Sequence, residues 1–191
     1  MNIGIFGGTF NPPHIGHLLA AQSVLEQGQL DKIIFVPSYI TPHKNNGEEI
    51  LAHHRLTMTK LAIQENLSFE CSDIEIQKQG TSYTYQTLEY FQQQYPAAKF
   101  FLIIGIDNFI TFEQWKFPEK ILKMATLLVI NRPPKQTIPI TKIPAKHILI
   151  PDIEISSTTI RSRVKNNLPI RYYVTPKVEE YIIKNLLYNY D

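Results

Sequence analysis

Several things are scarce in this chain, and each scarcity excludes something. There is one cysteine, Cys71, so no disulfide can form within the chain. That suits a reducing cytoplasm, with Cys71 a small half-buried strand residue. No apolar run approaches the ~20 residues that span a bilayer. The first residues read as a strand and lack the basic start and apolar stretch of a secretory signal. No membrane partner is therefore expected. Neither sign of charge dominates: 19 Lys and Arg face 17 Asp and Glu, a net charge of +2. So small a balance gives no electrostatic footprint for nucleic acid. Repeats and low-complexity blocks are absent. Tryptophan occurs once, as Trp115, and glycine only eight times, which makes their positions informative.

What the chain does have is 191 residues, 43% hydrophobic and 19% charged, with ten tyrosines and ten phenylalanines. That is enough for one domain with a substantial core, residues 1–191, ending in a helical segment at about 156–191. Two of the few glycines are adjacent. Gly7 and Gly8 open the stretch Gly-Gly-Thr-Phe-Asn-Pro-Pro-His-Ile-Gly-His at 7–17. The apolar run Ile3–Phe6 enters it and an amphipathic run from Leu18 leaves it, the order of a strand, a tight loop and a helix. Glycine clears side chains from where a phosphate would approach the backbone. The helix that follows aims its free N–H groups and positive dipole end at the loop. His14 and His17 lie three apart, so both rings can reach one side of the helix entrance. An ordinary turn also uses Gly-Gly and Pro-Pro. A polyphosphate cradle explains the paired histidines as well. The loop is neither a Walker A loop, since no lysine follows, nor a dinucleotide fingerprint.

Further along, Asp31–Pro37 reads as a parallel strand buried on both faces. The polar loop 38–49 leaves its C-terminal end and carries Lys44, a cation that either reaches a phosphate or stays in solvent. His53-His54-Arg55 opens a helix whose apolar face is Leu56, Met58, Leu61 and Ala62. The adjacent histidines should lie on different faces, and Arg55 could pair with an acid. Ser68–Gln77 alternates and reads as a strand with a break near Ser72-Asp73. Thr84 is placed to cap a helix over 85–94. Lys99–Ile104 is the most apolar run, a central strand, with Gly105 and Asp107 at its end. Asp107 could meet a ribose or cap the next helix. Phe109 and Phe112 should be core, with Trp115 partly exposed. Strands follow at Ala125–Ile130 and His147–Ile150. Residues 155–161, Ile-Ser-Ser-Thr-Thr-Ile-Arg, open another helix, capped by Ser156 or Ser157, with Arg161 in its first turns: a second anion site. Residues 175–188 form a C-terminal amphipathic helix, which could pack on its own sheet or on a second subunit as a homo-oligomer. Strands alternate with helices, so the class is α/β, a Rossmann-like doubly wound parallel sheet. Both anion sites then lie at the C-terminal ends of the strands.

Residues 7–17 resemble the signature of the nucleotidyltransferase superfamily, Gly-Gly-Ser/Thr-Phe-Asp/Asn-Pro-Pro-His-x-Gly-His, with Asn11 in place of the commoner aspartate. Ile155–Arg161 resembles that superfamily's second motif, Ile-Ser-Ser-Thr-x-Ile-Arg. Ser82-Tyr83-Thr84 with Thr87-Leu88, and Gly105-Ile-Asp107 with Phe112 and Trp115, look like one branch, the bacterial nicotinate-nucleotide adenylyltransferases. Such a resemblance implies transfer of AMP from ATP to nicotinate mononucleotide in NAD biosynthesis, giving deamido-NAD and pyrophosphate. It implies that Gly7, Gly8, Thr9, Phe10 and His14 hold the ATP phosphates and that His17 donates to the α-phosphate. Ser157 and Arg161 would take the β- and γ-phosphates, with Lys44 near the shared phosphate region. Gly105, Asp107, Ile155 and Ser156 would frame adenosine. Thr84, Tyr83 and Trp115 would take the nicotinate, and Mg2+ would ride on the phosphates without dedicated protein ligands. Alternatives are a sister enzyme acting on nicotinamide mononucleotide, phosphopantetheine or a cytidylyl substrate, a non-catalytic nucleotide-binding regulator, or a structural module.

Overall fold

The computed structural model describes residues 1–40, 50–130 and 142–189. Lys44 and most of the proline-rich stretch at 132–146 lie outside them. Six strands form one wholly parallel sheet in the order β3-β2-β1-β4-β5-β6. They are β1 (Asn2–Gly8), β2 (Lys32–Pro37), β3 (Phe69–Cys71), β4 (Lys99–Gly105), β5 (Ala125–Ile130) and β6 (Ala145–Ile148). The expected doubly wound sheet is present. The strand order reverses between β1 and β4, which places a crevice at their C-terminal ends.

The runs are continuously apolar because both faces are covered. Ile3, Ile5, Ile34, Val36, Leu102, Ile104, Leu127 and Val129 point to one face. There they meet α3 (Ile74–Lys78), α4 (Thr84–Gln94), α5 (Ile106–Ile110) and α6 (Pro118–Met124). Phe6, Ile33, Phe35, Ile103, Leu128 and Ile130 point to the other face, against α1 (Ile15–Gln27) and the end of α2 (Ala52–Ile63). A third cluster joins Met58 of α2 to α7 (Ser157–Lys165) and α8 (Pro176–Lys184) through Ile160, Val178, Ile182, Leu187 and Tyr188. The C-terminal helix therefore packs on helices of its own chain rather than on the sheet. At Gly4 a Cβ would stand 2.8 Å from Leu30 Cδ1 and 3.0 Å from Ile103 Cδ1, so this β1 position has no room for a side chain.

Several sequence expectations change. Residues 74–78 are helical, not strand: the break at Ser72-Asp73 ends β3, and Ile74 is the buried residue of α3. In α2 the buried residues are Arg55, Met58, Thr59 and Ile63; of the expected face Met58 is among them, and Leu61 and Ala62 pack at its margin. His53 and His54 do not diverge; their ring centroids lie 4.0 Å apart. His54 Nδ1 is 2.9 Å from the Tyr181 hydroxyl, tying α2 to α8.

Candidate active site

The loop after β1 is built around a buried ring. Phe10 adopts φ 49°, a left-handed conformation that is strained for a bulky residue, and is 2% exposed. Its ring packs against Phe6 and Phe35, both at 5.7 Å, and edge-on to His17 at 5.1 Å. Gly8 makes room for it: a Cβ there would lie 3.0 Å from the Phe10 ring. The ring thus anchors the loop in the core, and the backbone from Gly7 to His14 wraps over the strand end. At Gly7, one residue before the end of β1, and at Gly105, the last residue of β4, an added Cβ would meet nothing within 4 Å. Neighbouring strands therefore each carry a glycine facing open space near the crevice.

His14 is the N-cap residue of α1, with its ring stacked on that of His17 at 3.7 Å. The His14 backbone N–H donates to His17 Nδ1 at 3.2 Å. Since Nδ1 accepts, the single proton of a neutral His17 ring sits on Nε2, a donor. Gly16 leaves space for this pair: a Cβ there would fall 3.1 Å from the His14 ring.

The second motif meets the first directly. Ser156 caps α7, accepting the Thr159 N–H at 3.0 Å. Ser157 Oγ donates to the Pro12 carbonyl at 2.8 Å, and Arg161 Nη1 donates to the Asn11 carbonyl at 3.0 Å. Asn11 Oδ1 accepts the Tyr188 hydroxyl at 2.9 Å. The Ile15 N–H at the start of α1 is bonded to the Tyr173 carbonyl at 2.9 Å. Ile155 passes so near that its carbonyl would be 3.8 Å from a Cβ on Gly16. Two helix N-termini and a permanent guanidinium charge thus converge on one loop, an arrangement suited to a polyphosphate.

Lys44 aside, the remaining expected site residues stand at the start of α4 and in the segment after β4. Asp107 is exposed in the first turn of α5, where Gly105, not Asp107, is the N-cap residue. Thr84 is the first residue of α4, and Tyr83 occupies its N-cap. Lys116 Nζ stands 4.5 Å over the Tyr83 ring. Trp115 is partly exposed, 5.3 Å from the buried Phe112 ring. Among the described residues, no three of His, Cys, Asp and Glu gather to hold a metal ion.

Three residues went unassigned in the sequence. Arg55 is 1% exposed and donates to the Thr9 carbonyl at 2.8 Å and the Tyr39 carbonyl at 3.0 Å, and its charge also bears on the Glu75 carboxyl. Its place in register with Met58, Thr59 and Ile63 was the available signal. Glu75 is half-buried and accepts from Thr87 Oγ1 at 2.6 Å. Burial pushes its carboxyl above the ordinary range, opposed by hydrogen bonds from Thr87 and Ser82 and the charges of Lys78 and Arg55. Tyr188 is distant in sequence from everything it touches at the loop, and no local pattern marks it.

A glycine-ended crevice at the strand reversal, a histidine pair and a facing Ser–Arg helix together define a nucleotide-handling α/β protein. Residues 5–163 match the cytidylyltransferase-like family, to which the chain belongs. It is 41% identical over 186 residues to the nicotinate-nucleotide adenylyltransferase of Bacillus subtilis, covering 97% of each chain. A probable nicotinate-nucleotide adenylyltransferase of Caldicellulosiruptor saccharolyticus is 44% identical over 197 residues, covering 98% of this chain and 99% of that one. Within that family, this chain is a member of the nicotinate-nucleotide adenylyltransferases. The fold agrees. A Plasmodium falciparum nicotinic acid mononucleotide adenylyltransferase, solved in complex with NaAD, has a TM-score of 0.78 at 23% identity, covering 100% of this chain and 98% of that one.

Proposed function

We propose that the chain transfers AMP from ATP to nicotinate mononucleotide, giving deamido-NAD and pyrophosphate. The observation that carries this is the pair of hydrogen bonds joining the histidine loop to the Ser–Arg helix, from Ser157 to Pro12 and from Arg161 to Asn11.

The nucleophile is the acceptor's phosphate, ionised at neutral pH, so the step needs no general base. A phosphate oxygen bonds to the α-phosphorus of ATP, the bond to the bridging oxygen breaks, and pyrophosphate leaves. Catalysis then consists of placement and of neutralising charge where it grows. In our assignment His17 Nε2–H donates to the α-phosphate region. His14 and the backbone from Gly7 to Phe10 hold the triphosphate, and Ser157 and Arg161 face its β- and γ-groups. Gly105, Asp107, Ile155 and Ser156 border adenosine. Thr84, Tyr83 and Trp115 lie on the pyridine side, and Lys44 belongs to the same proposal. Magnesium enters with ATP. The donor set fits an ion carried by phosphates and water, because the described residues offer no carboxylate cage. Cytoplasmic residence belongs to the same reading. So does self-association, with Ile183 and Leu186 exposed at the α8 end as its surface.

The test is pyrophosphate release from magnesium-ATP with nicotinate mononucleotide, nicotinamide mononucleotide or phosphopantetheine as acceptor. The acid nucleotide should be turned over fastest. Faster turnover of either other acceptor would move the chain to a sister activity, and none with any of them would overturn the proposal.

A further inference from the structure

A chain of hydrogen bonds runs beneath the site from the phosphate loop to the start of α4. Arg55 donates to the Thr9 carbonyl, at the end of β1, and to the Tyr39 carbonyl, just after β2. The Tyr39 N–H, on the other side of that residue, donates to Ser82 Oγ at 3.0 Å. The Ser82 side chain also faces the Glu75 carboxylate and favours its charged form. Glu75 accepts a bond from Thr87 Oγ1, one turn into α4. The Ser82 N–H is itself bonded to the Ile40 carbonyl at 3.0 Å, and Ile40 bridges Thr81. Arg55 and Thr87 are both buried, which limits the access of competing water at the two ends of the chain of bonds.

Its ends are what matter. One is Thr9, in the loop that the proposed function gives to the triphosphate. The other is the first turn of α4, which begins at Thr84 and carries the pyridine side. Nothing in holding either substrate alone requires the two to be tied. Bringing an acceptor phosphate into line with an α-phosphorus does, since a misplacement near 1 Å can cost about 100-fold in rate.

We propose that Arg55, Ser82, Glu75 and Thr87 form a strut that sets the spacing between the ATP half and the nicotinate half of the site. They are positioning residues and touch neither substrate. Ser82 is its central joint: its hydroxyl accepts the Tyr39 N–H and faces the Glu75 carboxylate, two residues before α4 begins. This inference rests on the adenylyl-transfer reading above.

Ser82→Ala opens the joint and Ser82→Thr keeps it. Steady-state rates with magnesium-ATP and nicotinate mononucleotide, normalised to folded enzyme by circular dichroism, decide the matter. Ser82→Ala should lower kcat about tenfold or more while both KM values change less than about twofold. Ser82→Thr should restore most of the kcat. A simple packing role would lower the melting temperature and leave kcat per folded enzyme unchanged, which overturns the strut. So would a rise in KM for nicotinate mononucleotide alone, because Ser82 would then be an ordinary binding residue. If Ser82→Ala does not fold, Thr87→Val decides by the same criteria, since it releases Glu75 from α4 with little change of shape. Failure of the unaltered enzyme to turn over these substrates would instead sink the assigned reaction.

Discussion

At His17 one ring nitrogen accepts the His14 N–H, and that bond leaves the other to donate. His17→Ala removes the donor and should lower kcat about 100-fold or more in the pyrophosphate assay if it meets charge in the transition state. A kcat near that of the unaltered enzyme would remove it from that role. Glu75 yields a second residue-scale expectation, in stability. Burial raises its folded-state pKa above the unfolded value, against the opposing pull of Thr87, Ser82, Lys78 and Arg55. The stability linked to such a group is full below its unfolded pKa and is lost as pH rises through the folded one. Glu75→Gln has no such group. Its melting temperature, minus that of the unaltered chain, should therefore climb from acid to neutral pH; a flat or falling difference in a thermal scan contradicts this. The sequence displayed the residues that stand in the loops, because glycines, prolines and histidines in that order have few other uses. It hid Arg55 and Glu75, whose roles depend on which polar groups the fold buries beside them.

Among the elements, the short segment after α8 reaches back to the first loop. Leu187 and Tyr188 are buried, and the Tyr188 hydroxyl bonds to Asn11 Oδ1. Tyr188→Phe keeps the ring and deletes the donor to a buried acceptor, so it should cost about 1–2 kcal/mol in urea unfolding. An unchanged midpoint would mean that the bond contributes nothing net. Strand positions were legible because long apolar runs have one use in a covered sheet. Residues 74–78 were not. Ile74 and Ile76 are spaced as in a strand, but a five-residue helix buries only one of them, so alternation over so short a run does not discriminate. The buried face of α2 was read only in part, because an arginine and a threonine share it with Met58, and the carbonyls of Thr9 and Tyr39 make an arginine welcome there.

Over the whole molecule, the helical part beyond residue 155 is bound to the sheet part at many points. Ser157, Arg161 and Tyr188 bond to residues 11 and 12, Tyr173 to Ile15, and Tyr181 to His54. Met58 sits inside the cluster formed by α7 and α8. The chain should therefore unfold as a single unit. Far-ultraviolet dichroism and tryptophan fluorescence from Trp115 should give coincident urea transitions, and magnesium-ATP should shift both together. Separate midpoints would divide the chain into two units. The sheet order and its reversal point follow from alternating strands and helices, so the location of the crevice was legible early. The closure of α7 and the C-terminal segment over the first loop was not, because it rests on side chains meeting across most of the chain.

Asn11 and Tyr188 are 177 positions apart, yet each secures the other. A chain leaving the ribosome exposes its phosphate loop long before the tyrosine that holds it has been synthesised. The element most diagnostic in the sequence is thus among the last to be locked in the fold. Until that tyrosine has been made, a nascent chain carries the signature of an enzyme without its working geometry.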